Sequence, residues 1–183
     1  MKATLDNIGL TSELKSFGIV VKKYFNSGIL LMNLKSMRKD GIEKKIRNFI
    51  SSHYLDHHDQ TAMNAVCCKN WEILSVKYAT FVQNSYEGIV TYNNKQDKSF
   101  RYSEEELKLA YYEPTLLHYA GWVKPWDKGY SKKKGEYWWY YAKQSGFYEE
   151  ILQRYGFNKD KIDDLIETIP NDGGLIKNNY KKI

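Results

Sequence analysis

Hydrophobic and polar positions are arranged along the chain in a way that predicts both strands and helices. An apolar run at 29–32 follows a polar, glycine-containing start, and this predicts a buried strand over 24–34. From 35 to 53 apolar side chains recur at mostly helical spacing with Lys and Arg between them, which predicts one amphipathic helix. The segment 1–22 predicts only a loop or a short helix.

The middle of the chain predicts short elements. Asp59 is placed as the N-cap of a helix over 60–68, and an extended segment or strand follows at 71–82. The stretch 87–102 is polar, with a turn predicted at Asn93-Asn94. Ser103 and Glu106 have the spacing of a capping box and predict a short helix.

The last third predicts one strand followed mostly by helix. A buried strand is predicted over 115–121, then a loop over 122–134 and a long aromatic helix over 136–155. The final 25 or so residues indicate a short helix and a frayed tail. Strands and helices therefore alternate, and the predicted fold class is α/β, although the strands are few for a self-contained domain of this class.

Composition changes this picture little. Of the 183 residues, 42% are hydrophobic and 27% are charged, which is typical of a globular chain and excludes a mostly disordered one. No run approaches the ~18 apolar residues of a membrane-spanning helix, and the first six residues contain no apolar core of a secretory signal. The expected compartment is the cytoplasm.

The charge and the aromatic residues indicate which classes of binding partner the chain could have. The net charge of +6 is spread along the chain, which is too dispersed to indicate a nucleic-acid partner. Lysines at 132–134 precede Trp138 and Trp139, and this leaves open a peripheral contact with an anionic membrane surface. An aromatic run on a helix is more often part of a core. Cys67 and Cys68 are adjacent and are expected to be reduced thiols.

One segment combines three groups that suit a phosphate or a metal. His118 can bind a divalent cation, Gly121 allows close approach of the backbone, and Lys124 can pair with a phosphate before the rigid Pro125. The alternative is a core histidine followed by a solvated loop lysine.

Two further segments carry polar side chains suited to a sugar. Asp59 and Gln60 offer an acid and an amide side by side, and Asn26 and Ser27 lie at the entrance of the predicted strand. The alternatives are a helix cap and a simple loop. The nearby histidines do not have a recognised metal-ligand spacing.

These segments, in this order, resemble glycosyltransferase family 8. The resemblance is carried by 24–35, by 59–64 and by 118–126, and the aromatic helix at 138–152 is similar to the C-terminal segment of bacterial members. It covers roughly residues 20–155. It implies a GT-A fold, which is a Rossmann-like α/β sheet with its site at the carboxyl ends of the strands.

The resemblance also implies roles for individual residues. His118 matches the metal-binding histidine, which holds manganese or magnesium against the donor pyrophosphate, and Gly121 and Lys124 match positions that contact the phosphates. The remaining matches concern the donor sugar: Asn26 and Ser27 lie near it, Asp59 contacts it, and Gln60 places its amide near the anomeric carbon.

The implied activity is transfer of a hexose from a nucleotide sugar with retention of configuration. The expected donor is UDP-glucose or UDP-galactose. The expected acceptor is a glycan, a lipid-linked saccharide or lipopolysaccharide.

The sequence departs from the family pattern in one important respect. Family members hold the metal with an Asp-x-Asp motif, and this sequence contains none. We therefore expect residues 1–126 to be the C-terminal part of a GT-A domain, followed by a helical, aromatic and basic segment over 127–183. A chain of this kind is expected to be inactive alone and to require a missing N-terminal half or a second chain. The alternative is a non-catalytic module that binds sugar nucleotide or a partner chain.

Overall fold

The computed structural model describes residues 1–6, 8–82 and 85–170. Its strands are β1 (Lys2–Leu5), β2 (Phe25–Leu31), β3 (Glu72–Ile73), β4 (Thr80–Phe81) and β5 (Leu117–His118). Its helices are α1 (Thr11–Ser16), α2 (Leu34–Lys39), α3 (Ile42–Ser52), α4 (His58–Cys67), α5 (Tyr86–Asn94), α6 (Glu104–Tyr112), α7 (Gly135–Gln144), α8 (Tyr148–Tyr155) and α9 (Lys159–Glu167). The α/β fold class is thus as predicted.

Among the described residues, the larger sheet has three strands in the order β2-β1-β3, with β1 antiparallel to β2 and parallel to β3. Its middle strand, β1, lies where the sequence predicted a loop or short helix, so the prediction for 1–22 was wrong at β1, although the short helix α1 lies in the same segment. Ala3 and Leu5 of β1 are buried in the core and Ala3 pairs with Leu30 of β2. Four residues are too few to show an alternating pattern. The strand is stabilised by hydrogen bonding to β2 and β3 on its two sides rather than by local propensity.

The second sheet joins two short parallel strands. Thr80 of β4 pairs with Leu117 of β5, and Phe81 pairs with His118. The strand predicted over 115–121 therefore shortens to two residues, and Leu116 beside it is 42% exposed. This pairing places His118 at the end of a strand.

The strand predicted as buried over 24–34 is β2, and only its first part is buried. Phe25 is fully buried, whereas Leu31 is 61% exposed and Met32 is 41% exposed. β2 also forms an edge of the three-stranded sheet, so it carries both an open backbone edge and exposed apolar side chains near its end.

Helix boundaries differ from the prediction at three places. The helix predicted over 35–53 is interrupted by Gly41, whose φ of 62° lies in the left-handed region that favours glycine. The long helix over 136–155 divides into α7 and α8, because Ser145 is extended. The polar stretch after 87 contains α5, whose N-cap Ser85 accepts a hydrogen bond from Gly88 N.

Two cap predictions had opposite outcomes. The capping box of Ser103 and Glu106 is confirmed at the start of α6. Asp59 is not the N-cap of α4, since His57 occupies that position without a side-chain cap and Asp59 lies in the first turn.

The buried apolar residues of the described part of the chain form two clusters. The first lies between the three-stranded sheet and helices α3–α6 and includes Phe25 and Trp71. The second is formed by α7–α9 around Trp139, which is 2% exposed and donates its indole N–H to the Pro125 carbonyl at 3.1 Å. The domain boundary expected at 126/127 stays a prediction, and the frayed tail predicted at the end falls on 171–183, outside the described residues.

Candidate functional site

The candidate site begins where β1 ends. Asp6 directly follows β1, and its backbone N–H donates to the Tyr24 carbonyl at 2.8 Å, which fixes it beside the start of β2. Asn26, the second residue of β2, lies opposite and is 9% exposed. Two neighbouring strand ends therefore bring a carboxylate and an amide together in a buried position.

A hydrogen-bonded network joins Asp6, Asn26 and Gln60. Asp6 Oδ2 accepts from Asn26 Nδ2 at 2.9 Å and from Gln60 Nε2 at 3.1 Å. Gln60 Oε1 accepts from Asn26 Nδ2 at 3.1 Å and from Ser27 N at 3.0 Å. Each polar atom of the Gln60 amide has a partner of the right polarity, so the orientation of the amide is determined by the network.

Helix α4 is attached to the edge of β2 by Asn64, which is fully buried. Its side chain accepts from Phe25 N at 2.9 Å and donates to the Phe25 carbonyl at 2.8 Å. The amide thus satisfies the outward-facing backbone groups of an edge strand, as a neighbouring strand would. This contact holds Gln60, one helical turn earlier, against Asn26 and Ser27.

His118 packs directly on Gly28. A Cβ atom placed on Gly28 would lie 2.5 Å from His118 Cε1 and 2.7 Å from Nε2, so no side chain fits there unless the ring moves. Gly28 N donates to Asn26 Oδ1 at 2.9 Å. The imidazole from the second sheet is therefore adjacent to the network on the first.

The imidazole is poised as a neutral ligand or acceptor. Burial lowers the pKa of His118, the Lys124 ammonium lowers it further, and the Asp6 carboxylate partly opposes both. Its Nδ1 atom is buried and has no hydrogen-bond partner within the described part of the chain. A buried nitrogen left open in this way fits a ligand that arrives later.

The loop after β5 carries the two remaining predicted phosphate contacts. Gly121 has a φ of 99°, a conformation that side chains disfavour. Lys124 Nζ donates to the Tyr119 carbonyl at 2.7 Å, and its backbone N–H donates to Asp127 Oδ2 at 2.7 Å. The Lys124 ammonium is thus folded back near His118. A phosphate bound there would compete with the Tyr119 carbonyl for the ammonium group.

The structure brings some of the predicted residues together and leaves one apart. Asn26, Ser27, Gln60 and His118 cluster, whereas Asp59 is exposed and contributes no hydrogen bond to the network among the described residues. The roles that the resemblance gave to these residues stay predictions.

Sequence reasoning missed three residues of the cluster: Asp6, Gly28, and Tyr92, whose hydroxyl donates to Asp6 Oδ1. Asp6 follows a strand too short to detect, and Tyr92 lies within the stretch 87–102, which the sequence predicts to be polar with a turn. Gly28 lay within a quoted segment, but its contact with His118 depends on β5 and no local pattern reveals it.

The residues present fit one position of a metal site but not a whole one. His118 offers a buried nitrogen without a hydrogen-bond partner among the described residues, and a neutral imidazole is a common ligand of divalent metals. Among residues 1–6, 8–82 and 85–170, however, no group of three or more His, Cys, Asp or Glu side chains could hold a metal ion. The described residues therefore do not supply three such ligands at His118.

Comparison with known proteins decides the family. The sequence profile of glycosyl transferase family 8 matches residues 10–129, well over half of the chain. The chain belongs to glycosyltransferase family 8. General stress protein A of Bacillus subtilis is 30% identical over 132 residues, which are 68% of this chain and 43% of that protein. Glycosyltransferase GlyB of Streptococcus pneumoniae is 30% identical over 75% of this chain and 32% of its own length.

A solved structure shares the fold. The chain superimposes on the WbbM bifunctional glycosyltransferase with a TM-score of 0.63 at 16% identity, covering 84% of this chain and 29% of that one. The family 8 resemblance and the GT-A-like α/β fold are therefore confirmed. The chain spans less than half the length of each of these relatives. Among the helices that the structure describes, none has the length and apolar character needed to cross a membrane.

Proposed function

We propose that this chain forms the donor-sugar side of a retaining glycosyltransferase, which moves a hexose from UDP-glucose or UDP-galactose to a saccharide acceptor such as a glycan or lipopolysaccharide. The observation that carries the proposal is the buried contact between the Asp6–Asn26–Gln60 network and His118 across Gly28. Family membership supports glycosyl transfer in general, and the donor and acceptor are part of the proposal.

The network suits recognition of sugar hydroxyls. A pyranose presents several hydroxyls that both donate and accept, and a fixed set of carboxylate and amide groups can match them. Because Gln60 is 8% exposed and held from two sides, it needs little reorganisation when a sugar binds. Preorganised polar groups stabilise a charged transition state more effectively than mobile ones.

In this proposal Gln60 stabilises charge at the anomeric carbon and helps to position the sugar, and it does not act as a base. An amide does not take up a proton near neutral pH, but its carbonyl oxygen can stabilise the positive charge that develops at the anomeric carbon. Gln60→Ala should therefore lower turnover in a transfer-competent form while donor affinity stays nearly unchanged.

His118 and Lys124 face the diphosphate in this proposal. Lys124 supplies positive charge to the leaving group, and its present bond to the Tyr119 carbonyl keeps it near that position. His118 supplies one ligand to manganese or magnesium. When bound, the metal would neutralise charge on the departing diphosphate.

The proposal predicts weak donor binding by residues 1–183 and no measurable transfer, since one nitrogen ligand cannot hold manganese firmly. Calorimetric titration with UDP-glucose and UDP-galactose, with and without manganese, tests binding by the wild type and His118→Ala. Manganese should strengthen donor binding to the wild type alone. Equal manganese dependence in both proteins would contradict the role of His118.

Transfer itself is tested by adding what the described residues lack. An upstream segment with an Asp-x-Asp motif, fused before Met1 or supplied as a second chain, should restore manganese-dependent release of UDP. Robust release by residues 1–183 alone would contradict the proposed incompleteness of the metal site.

The second candidate is a non-catalytic module that binds sugar nucleotide or a partner chain. The incomplete metal site among the described residues favours it. It predicts donor binding without UDP release in every form tested, including the fused protein with manganese and an acceptor present.

A further inference from the structure

Tyr92 contacts the candidate site from a helix that carried none of the resemblance. It lies on α5, and its hydroxyl donates to Asp6 Oδ1. The other carboxylate oxygen, Oδ2, accepts from Asn26 and Gln60. Tyr92 therefore holds the side of the Asp6 carboxylate that faces away from the amides.

The ring of Tyr92 reaches the other half of the site through Phe81. The Tyr92 and Phe81 rings meet edge to face at 5.2 Å, and Phe81 lies 5.2 Å from the His118 ring at an angle of 38°. Phe81 is thus placed between Tyr92 and the imidazole. The Tyr92 hydroxyl thus supports the hydrogen-bonded network, and the Tyr92 ring supports His118 through Phe81.

We propose that Tyr92 is a positioning residue of the transferase, which fixes the Asp6 carboxylate with its hydroxyl and buttresses Phe81 behind His118 with its ring. This rests on the proposed function in so far as it concerns catalysis. Its structural part concerns the order of the network and stands without any donor.

The hydroxyl matters because it binds the carboxylate oxygen that the two amides do not reach. The χ2 torsion of an aspartate is broad, so a carboxylate bonded through one oxygen can rotate. With Oδ1 held by Tyr92, Oδ2 stays in the position where both amides reach it. The Gln60 amide, whose side chain has three torsions, then has one satisfied orientation.

Packing alone does not confine the Tyr92 ring. A cavity of about 20 Å³ lies beside it, lined also by Thr4 and Gln96, so the ring has free space on one side. The hydrogen bond to Asp6 and the contact with Phe81 both help to hold it in place. Removing the hydroxyl should therefore loosen the network without disturbing the main core.

The test is Tyr92→Phe, with Tyr86→Phe as the matched control. Tyr86 lies on the same helix, and its hydroxyl is buried without a hydrogen-bond partner in the described part of the chain. Both changes remove one hydroxyl and keep an aromatic ring. Only the first removes a bond to the candidate site.

The first readout is nuclear magnetic resonance of the side-chain amides of Asn26 and Gln60. In Tyr92→Phe their hydrogen exchange should be about tenfold faster, the factor expected for losing one hydrogen bond to a charged group. In Tyr86→Phe it should match the wild type. Equal exchange in the two variants would overturn the proposal, as would loss of cooperative folding in Tyr92→Phe alone, because the role would then be general stability.

A second variant tests the ring separately. Phe81→Leu should shift and broaden the His118 ring signals and leave the Asn26 and Gln60 amides unchanged. Unchanged His118 signals would contradict the buttressing role of the ring.

The catalytic part is measured in the transfer-competent form. Tyr92→Phe should lower kcat about tenfold with the KM for the donor nearly constant, since ordering at the reacting centre is lost and donor contacts are kept. A change in KM alone would contradict a positioning role. If the wild type neither binds nor transfers a donor, the proposed function fails, while the amide exchange still decides the structural part.

Discussion

Replacing Asp6 with leucine removes the common acceptor of the candidate site while keeping a side chain of similar size. Asp6 is 8% exposed and accepts hydrogen bonds from Tyr92, from Asn26 and from Gln60. In Asp6→Leu, Asn26 Nδ2 keeps its bond to Gln60 Oε1, but Gln60 Nε2 is left without this partner. The loss of stability therefore comes mainly from two donors that lose this acceptor, the buried Gln60 amide and the half-buried Tyr92 hydroxyl.

The magnitude follows from these losses. An unsatisfied buried donor costs about 1–3 kcal/mol, and the lost bonds to a charged acceptor are partly offset by no longer burying the carboxylate. We expect a loss of about 3 kcal/mol in the free energy of unfolding. For a chain of this length that corresponds to a fall of about 6–12 °C in Tm.

Asp6→Asn is the matched control. Its amide oxygen can still accept from Asn26 and Gln60 in the place of Oδ2, and its nitrogen can donate to the Tyr92 hydroxyl. We expect its loss of stability to stay below about 1 kcal/mol.

Thermal and urea unfolding followed by circular dichroism measure both variants against the wild type. A loss of less than about 1 kcal/mol in Asp6→Leu would refute the reasoning, because the network would then contribute little to the fold. Equal, large losses in both variants would show that the negative charge, and not the pattern of acceptors, is what the site requires.

Three further predictions follow from the same contacts. Gly28→Ala should displace the His118 ring and lower Tm, because the new Cβ would lie 2.5 Å from His118 Cε1. Gly146→Ala is the control and should be nearly neutral, because a Cβ there would meet nothing within 4 Å. Nuclear magnetic resonance of the ring and melting curves measure both variants, and an unmoved ring in Gly28→Ala would contradict the contact. Stability should fall as the pH drops below about 6.5, because the lowered pKa of His118 means that the unfolded chain takes up a proton in a range where the folded chain does not. Urea unfolding from pH 5 to 8 should show this slope in the wild type and a flatter one in His118→Gln, and parallel slopes would contradict it. The open edge of β2, with Leu31 61% exposed, should promote self-association that Leu31→Lys reduces, and a wild type that sediments as a uniform monomer would contradict this.

Sequence reasoning found the parts of the site that lie in local patterns. The apolar run of β2 and the glycine and lysine after His118 are visible along the chain, and the Ser103 capping box forms as its spacing predicted. These features depend on residues a few positions apart, where propensity and hydrogen bonding act locally.

The rest depends on pairing between distant segments. β1 is recognisable only through its partners β2 and β3, and two-residue strands such as β5 have no periodicity of their own. Asp59 has the sequence of a cap, yet the helix begins two residues earlier than predicted, at His58, and leaves Asp59 exposed. Tyr92 reaches Asp6 across 86 positions of sequence, so its contact follows from the fold alone.

The most direct test of the central claim is a titration of the isotope-labelled chain with UDP-glucose and UDP-galactose, followed by nuclear magnetic resonance. The claim is that the carboxylate–amide network and the loop after His118 form one donor-binding surface. It predicts that the backbone amides of Ser27, Gly28 and Gly121 and the side-chain amide of Gln60 shift together. The dissociation constant should be about 1 mM or weaker, which corresponds to a binding free energy of at most about 4 kcal/mol. Shifts confined to α7–α9, or none at these positions up to about 10 mM donor, would contradict it.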